Sequence, residues 1–231
     1  MTDENLPILV TIAVLGGTGK EGSGLAKRWA NSGYRVIIGS RDATRAEQKA
    51  DELNAEMGGA YLQGKDNLSA ATEADLVVLS VPYDAHASTL ETLRETLQGK
   101  ILVDVTVPLL PPNVRTVHVP EGKSACLEAQ KLLGPGVKVV AAFQNVSAVH
   151  LKDAHEHVEC DVLICGDDDA AKGEVIKLAQ AAGLRGLDAG PLENSVAVEA
   201  ITPMLLWLNK RYKVKSAGIV ITGINLGADL S

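Results

Sequence analysis

Short apolar runs alternate with longer helical patterns through most of this 231-residue chain. Four apolar residues at 12–15, Ile-Ala-Val-Leu, have the length and branching of a buried parallel strand. A helical pattern runs from Lys20 through Leu25, Ala26, Trp29 and Ala30, and Gly33 closes it. The spacing then predicts a strand over 34–38, a helix over 42–57 and a short strand over 60–63. Strands over 75–81 and 100–104 flank a helix over 84–97, and a helix over 124–133 precedes a strand over 137–143. From Cys160 the pattern restarts with a strand over 161–165, a helix over 170–182 and a strand over 184–187. The stretch after Ser195 is apolar on nearly every face, which predicts a helix buried on all sides against both parts of the chain or a second subunit. Pro203 should kink or split it. A last apolar run, 218–222, reads as a strand.

Strands alternating with helices imply parallel βαβ units in an α/β fold. The first junction carries the chemistry that specifies which one. Between the strand at 12–15 and the helix from Lys20 lies Gly17-x-Gly19-x-x-Gly22. In this reading Gly17 allows the tight turn, Gly19 admits a diphosphate to the backbone, and Gly22 lets helix and strand pack closely. The helix N-terminus then holds the phosphates through its N–H groups and partial positive charge. Placed after a strand and before a helix, this is the dinucleotide fingerprint. The expected organisation is an N-terminal Rossmann dinucleotide-binding domain over 1–150, mostly parallel, with a smaller C-terminal α/β domain over 151–231.

The end of the second strand sets the cofactor. Enzymes that take NAD place an acidic residue there for the ribose hydroxyls. Here the chain has Gly39-Ser40-Arg41, with Arg45 four residues on. Ser40 can donate to a phosphate oxygen, and two guanidiniums can clamp a 2′-phosphate, which selects NADP. The other reading makes Arg41 and Arg45 a solvated first turn beside Asp42 and Glu47, and Asp42 leaves room for NAD.

Ligands of such sheets lie beyond the carboxyl ends of the strands. Val81, Pro82, Val107 and Pro108 fall at such ends and suit an apolar wall for a nicotinamide, although strand-end prolines also serve as punctuation. Gln144, Asn145, Ser147 and Ala148 follow another strand tip; they suit the amide edge of a heterocycle or an ordinary turn. The proline-bearing loop 109–123 either covers the site or links elements. Tyr61-x-x-x-Lys65 imitates the pair used by short-chain dehydrogenases, but Gly64 interrupts it in an early strand, and it reads as coincidence. His150, His155 and His157 match no metal-binding pattern, and His86 and His118 are isolated.

Composition narrows the classes. A formal charge of -7 argues against a general nucleic-acid or acidic-membrane binder. The apolar run 196–208 spans 13 residues and contains Glu199, short of the roughly 20 that a membrane span needs. Three cysteines without CxxC spacing read as reduced thiols of a cytoplasmic protein, and the acidic start Met1 to Pro7 is unlike a signal peptide.

Taken together these residues resemble the NADPH-dependent F420 reductases, also called F420H2:NADP oxidoreductases, from Ile12 to about Ile221. The resemblance rests on Val14-Leu-Gly-Gly-Thr-Gly19, Gly39-Ser-Arg41, Cys165-Gly-Asp-Asp-Asp169, Leu187-Asp-Ala-Gly-Pro-Leu192 and Thr202-Pro203. The first two are shared by many nucleotide binders, and the last three are more specific. The family implies hydride exchange between NADP(H) and the deazaflavin coenzyme F420 by a homodimer. By similarity, NADP contacts fall on Thr18, Gly19, Lys20, Glu21, Ser40, Arg41, Arg45, Val81, Ala85, Val107 and Ala148, and Ala217 matches a position that approaches the deazaflavin. Two departures are visible. Archaeal relatives carry His-Thr and Pro where this chain has Gln144-Asn145 and Ser147, and they lack a basic run like Lys210-Arg-Tyr-Lys-Val-Lys215. The same scaffold resembles the oxidoreductase domain of ferric reductases, so a flavin acceptor is the alternative. A non-catalytic NADP sensor is the alternative of another class. Direct transfer between two cofactor rings needs no protein acid or base, and no such constellation stands out.

Overall fold

The computed structural model describes residues 10–153 and 158–224. The acidic start Met1 to Pro7, His155 and His157 lie outside the described residues. In chain order the elements are β1 Thr11–Leu15, α1 Lys20–Asn31, β2 Arg35–Ser40, α2 Ala43–Met57, β3 Leu62–Asp66, α3 Asn67–Glu73, β4 Leu76–Leu79 and α4 Tyr83–Leu93. They continue with β5 Ile101–Asp104, α5 Ala125–Leu133, β6 Lys138–Ala141, α6 Ala148–Leu151, β7 Asp161–Gly166, α7 Asp169–Ala181 and β8 Arg185–Asp188. A short 3-10 turn, Leu192–Asn194, leads into α8, Ser195–Tyr212.

The strands form one eight-stranded sheet in the order β3-β2-β1-β4-β5-β6-β7-β8. The first six follow the dinucleotide-binding order, with the chain reversing direction across the sheet between β1 and β4. Pairing is parallel except between β6 and β7, where Ala141 faces Cys165 in antiparallel register. Strands on both sides of residue 150 therefore belong to the same sheet.

Alternation along the strands sends side chains to two buried layers, one on each face of the sheet. Ile12 and Val14 join Trp29, Phe143, Val162 and Val175 on one side. Ala13 and Leu15 join Leu79, Leu90, Cys126 and Val198 on the other. The first helix is also sewn to the later part of the chain by polar bonds. Arg28, 2% exposed, donates through its guanidinium to the carbonyls of Ala182 and His150, both at 2.6 Å. Trp29 Nε1 donates to Leu178 O at 2.8 Å.

Three local expectations need correction, and one helix was not anticipated at all: the segment 67–73 is a helix capped by Asp66, whose carboxylate accepts from Ser69 N. Its small residues Ala70 and Ala71 are the buried ones, so its apolar stripe is faint in sequence. Residues 218–222 are not a strand. They are held by isolated bonds, Asp161 N to Ile219 O and Ile221 N to the Asp161 carboxylate, which Arg185 also grips at 2.6 Å. Pro203 does not split α8, which runs unbroken for 18 residues. Nor is α8 buried all round: Ser195, Val198, Glu199, Pro203 and Leu205 are buried, whereas Met204, Trp207 and Leu208 are exposed on an outward face.

Candidate functional site

The turn between β1 and α1 has no room for side chains. Gly16, at φ +73°, is the residue that turns the chain, and a Cβ there would meet Ser80 O at 2.3 Å. The fingerprint reading gave that role to Gly17. Gly17 is instead excluded by space, since its Cβ would lie 2.6 Å from Val14 O. Gly22 lies against the turn, where a Cβ would be 3.0 Å from the Gly17 Cα and 3.1 Å from Gly16 O, so the close packing at this position is of helix against turn. Gly19 precedes α1 with no side-chain cap, so the first-turn N–H groups face the cleft without a competing side-chain oxygen.

At the end of β2, Ser40 is 7% exposed and its Oγ accepts from Asp42 N at 3.2 Å. Asp42 caps α2, with Oδ1 accepting from Thr44 N at 3.0 Å and Arg45 N at 3.4 Å. Its carboxylate is thus engaged with a helix start. The guanidiniums of Arg41 and Arg45 have no ion-pair partner among the described residues, and both are exposed. They line a cavity of about 490 Å³ with Gly16, Thr18, Ser40, Asn67 and Ala85.

A second cavity, of about 710 Å³, adjoins the first along Gly19, Ser80, Val81, Pro82 and Asp84, which line both. Its floor includes Lys20, Glu21, Val107, Gln144, Asn145 and Ala148, and its far wall Thr202, Leu205, Leu206, Asn209 and Ala217. The strand ends therefore bring together every sequence-derived site residue except Gly17 and Gly22, packed in the turn and the first turn of α1, and Pro108, which is buried and lines neither cavity. Gln144 Nε2 donates to Asp104 O at 2.7 Å and Asn145 Nδ2 to Asp161 O at 2.6 Å, so both amides are anchored in the protein.

A family model described as NADP oxidoreductase coenzyme F420-dependent matches residues 11–108. The F420-dependent NADP reductase of Methanocaldococcus jannaschii is 45% identical, over 93% of this chain and 99% of its own length. That of Methanothermobacter thermautotrophicus is 41% identical, over 94% of this chain and 97% of its own. This chain belongs to the F420-dependent NADP reductase family. Among solved structures, a hypothetical protein of Sinorhizobium meliloti shares the fold, with a TM-score of 0.67 and 23% identity over 84% of this chain and 88% of that one.

The two cavities fit the family's two coenzymes by donor chemistry. An uncapped helix start with Ser40, Arg41 and Arg45 suits a dinucleotide with an added phosphate. The wider cavity joins apolar strand ends to amide and hydroxyl groups, as a planar heterocycle requires. Ionisable groups around it are held neutral or engaged. Burial pushes the Glu21 carboxyl up to about 8, and its Oε1 is sealed without a hydrogen-bond partner. Burial and then the hydrogen bond to Glu128 raise Tyr83 to about 12. Burial raises Cys165 to about 11 and lifts Cys126 and Cys160 too, so none of the three is a thiolate near neutrality.

Several lining residues escaped sequence reasoning. Asn67 and Thr89 line the phosphate-side cavity from α3 and α4, and Leu110, Pro111 and Val114 of the proline-bearing loop reach the wider one. Thr202 carried a sequence signal in the Thr202-Pro203 motif, and the loop 109–123 carried one as a possible cover of the site, without naming which of its residues reach in. Tyr61 is instead exposed and Lys65 pairs with Glu73, away from the cleft. Among the described residues no group of His, Cys, Asp and Glu is arranged to hold a metal ion. No helix among the described residues is long and apolar enough to cross a membrane.

Proposed function

We infer that this chain is an oxidoreductase that exchanges reducing equivalents reversibly between NADP(H) and coenzyme F420, by direct hydride transfer. The observation that carries the reading is the shared wall: Gly19, Ser80, Val81, Pro82 and Asp84 border both cavities. A nicotinamide against Val81 and Pro82 would then face the wider space while its phosphates reach α1 and Arg41. The bound coenzymes supply the ring chemistry, a hydride donor at nicotinamide C4 and an acceptor at deazaflavin C5.

The chain's own task is orientation. The first-turn N–H groups of α1 hold the diphosphate, and Ser40, Arg41 and Arg45 the 2′-phosphate. Val107, Leu205 and Leu206 exclude water from the ring faces, and Gln144, Asn145 and Thr202 border the acceptor. Fixing two rings at reacting distance supplies about 7–11 kcal/mol in favourable cases, with no protein acid or base at the hydride step.

On this reading residues 151–231 supply the acceptor wall through α8 and Ala217. The outward face of α8, with Met204, Trp207 and Leu208 exposed, favours a homodimer. Three buried thiols with no disulfide among them favour a cytoplasmic setting. The test is anaerobic NADPH oxidation with F420, FMN, FAD and ferric chelate as separate acceptors. Turnover with F420 well above the others is expected. A preference for a flavin or ferric chelate overturns the acceptor assignment, and binding of NADPH without oxidation by any acceptor makes the chain a sensor.

A further inference from the structure

Three polar side chains lie on the inward face of α8 at helical spacing, Ser195, Glu199 and Thr202. Ser195 Oγ is 2.7 Å from Ser124 Oγ, and Ser124 is the residue that caps α5. Thr202 Oγ1 donates to Gln144 O at 2.7 Å. Between them, Glu199 reaches the N-terminus of α5: Oε2 accepts from Ala125 N at 2.8 Å and Oε1 from Cys126 N at 3.1 Å.

Glu199 is 2% exposed and has no ion pair with a lysine or arginine among the described residues. Its counter-charge is two backbone N–H groups and the positive end of the α5 dipole. Acidic and titratable groups face it from the neighbouring elements: Asp104 of β5, Cys126 of α5, Tyr83 and His86 of α4, and Cys165 of β7. A buried carboxylate among such neighbours costs more than a leucine would unless its hydrogen bonds do something an apolar contact cannot. What they do here is fix rotation and depth. Apolar packing is non-directional, whereas two bonds to adjacent amides permit one seating of the helix. About two to three turns further along, Leu205, Leu206 and Asn209 form the far wall of the wider cavity.

We propose that Glu199 is a positioning residue that seats α8 on the N-terminus of α5 and thereby sets the acceptor-side wall of the cleft. The proposal rests on the reading that the wider cavity receives F420. It assigns Glu199 no contact with either coenzyme. The dinucleotide side is built on α1, α2 and α4, none of which the Glu199 carboxylate bonds. Loss of the seat should therefore separate the two substrates.

The test compares Glu199→Ala and Glu199→Gln with the wild-type chain in F420 and NADPH steady-state kinetics, with hydrogen exchange of the α8 amides measured in parallel. The alanine variant should raise KM for F420 about ten- to a hundredfold, the span of a lost hydrogen bond to a charged group, with KM for NADPH within about twofold. Its α8 amides should exchange faster. Glutamine, which retains one acceptor oxygen, should restore most of the F420 KM and slow the exchange again. If alanine fails to fold, Glu199→Asp, one methylene short of the α5 amides, carries the same comparison. Equal shifts in both KM values, or an unchanged F420 KM despite faster α8 exchange, overturn the proposal. A wild-type chain that does not turn over F420 removes the reading beneath it. The exchange comparison then decides separately whether Glu199 seats α8.

Discussion

His86 Nε2 lies 2.6 Å from Asp104 Oδ2, with the two side chains 2% and 0% exposed, beneath the strand end that carries Thr106 and Val107. Asp104 Oδ1 also accepts from Thr106 N at 3.0 Å, so the pair braces the floor of the cleft without entering it. Burial lowers the imidazole pKa, but the Asp104 carboxylate beside it prevails and the net shift is upward. A histidine with a raised folded-state value stabilises fully below its unfolded value, about 6.5, and loses that stability as pH rises through the raised one. Removing one partner of a buried pair costs about 3–5 kcal/mol. His86→Gln should therefore lower the urea midpoint, most at pH 6 and below. Turnover per folded molecule, for this variant and for His118→Gln and His150→Gln, should stay within about tenfold, under the range of an essential general acid. A thousandfold loss in kcat from any one of them without unfolding would defeat direct transfer.

Arg41 is free to meet a phosphate, whereas the Asp42 carboxylate is bound to the start of α2. Arg41→Ala should weaken NADP binding by about 1.5–3 kcal/mol, the worth of a hydrogen bond to a charged group, and leave NAD nearly unchanged. Titration calorimetry with both dinucleotides checks this. Equal weakening of the two would remove Arg41 from the phosphate clamp.

Lys210, Arg211, Lys213 and Lys215 are all exposed at the end of α8, without ion pairs among the described residues. Cations there complement the helix dipole, and on an otherwise acidic chain they also offer a local attraction to the phosphate and oligoglutamate tail of F420. If the second effect operates, changing Lys213 and Lys215 to Gln raises KM for F420, more at low ionic strength, because exposed charges are screened over about 8–10 Å at physiological salt. KM for NADPH should not move. An F420 KM indifferent to substitution and salt leaves the run as a cap.

The buried Glu199 and the half-buried Glu21, whose Oε1 is sealed, make stability fall with rising pH. Burial pushes Glu199 up to about 7 and Glu21 up to about 8, both from 4.5. Their contribution is fully present below 4.5 and is lost as pH rises through 7 and then 8. His86 changes in the same direction, so the comparison is variant against wild type at each pH. Glu21→Gln should flatten the part of the decline that runs between pH 4.5 and 8, and Glu199→Gln the part between pH 4.5 and 7. Parallel curves for Glu21→Gln and wild type from pH 4.5 up to 8 would mean the Glu21 carboxyl is solvated in the folded chain.

Features that depend on neighbours along the chain were legible in the order of residues. Apolar runs of strand length, helical spacing and the glycine triplet identified a dinucleotide-binding α/β fold, because those signals are periodic and local. The Ser40-Arg41-Arg45 cluster was legible for the same reason: a strand end and the following helix start are contiguous. Features that depend on approach between distant segments emerged only in the folded chain. Gly16 rather than Gly17 takes the positive φ, because the turn must pass Ser80 O of a neighbouring strand end. His86 meets Asp104 across parallel βα units, and Glu199 meets α5 some 73 positions earlier, pairings that no periodicity encodes. The polar stripe of α8 was hidden in an apolar helix because three residues among eighteen barely alter its pattern. Their roles arise only when the sheet's second half brings α8 against the cleft.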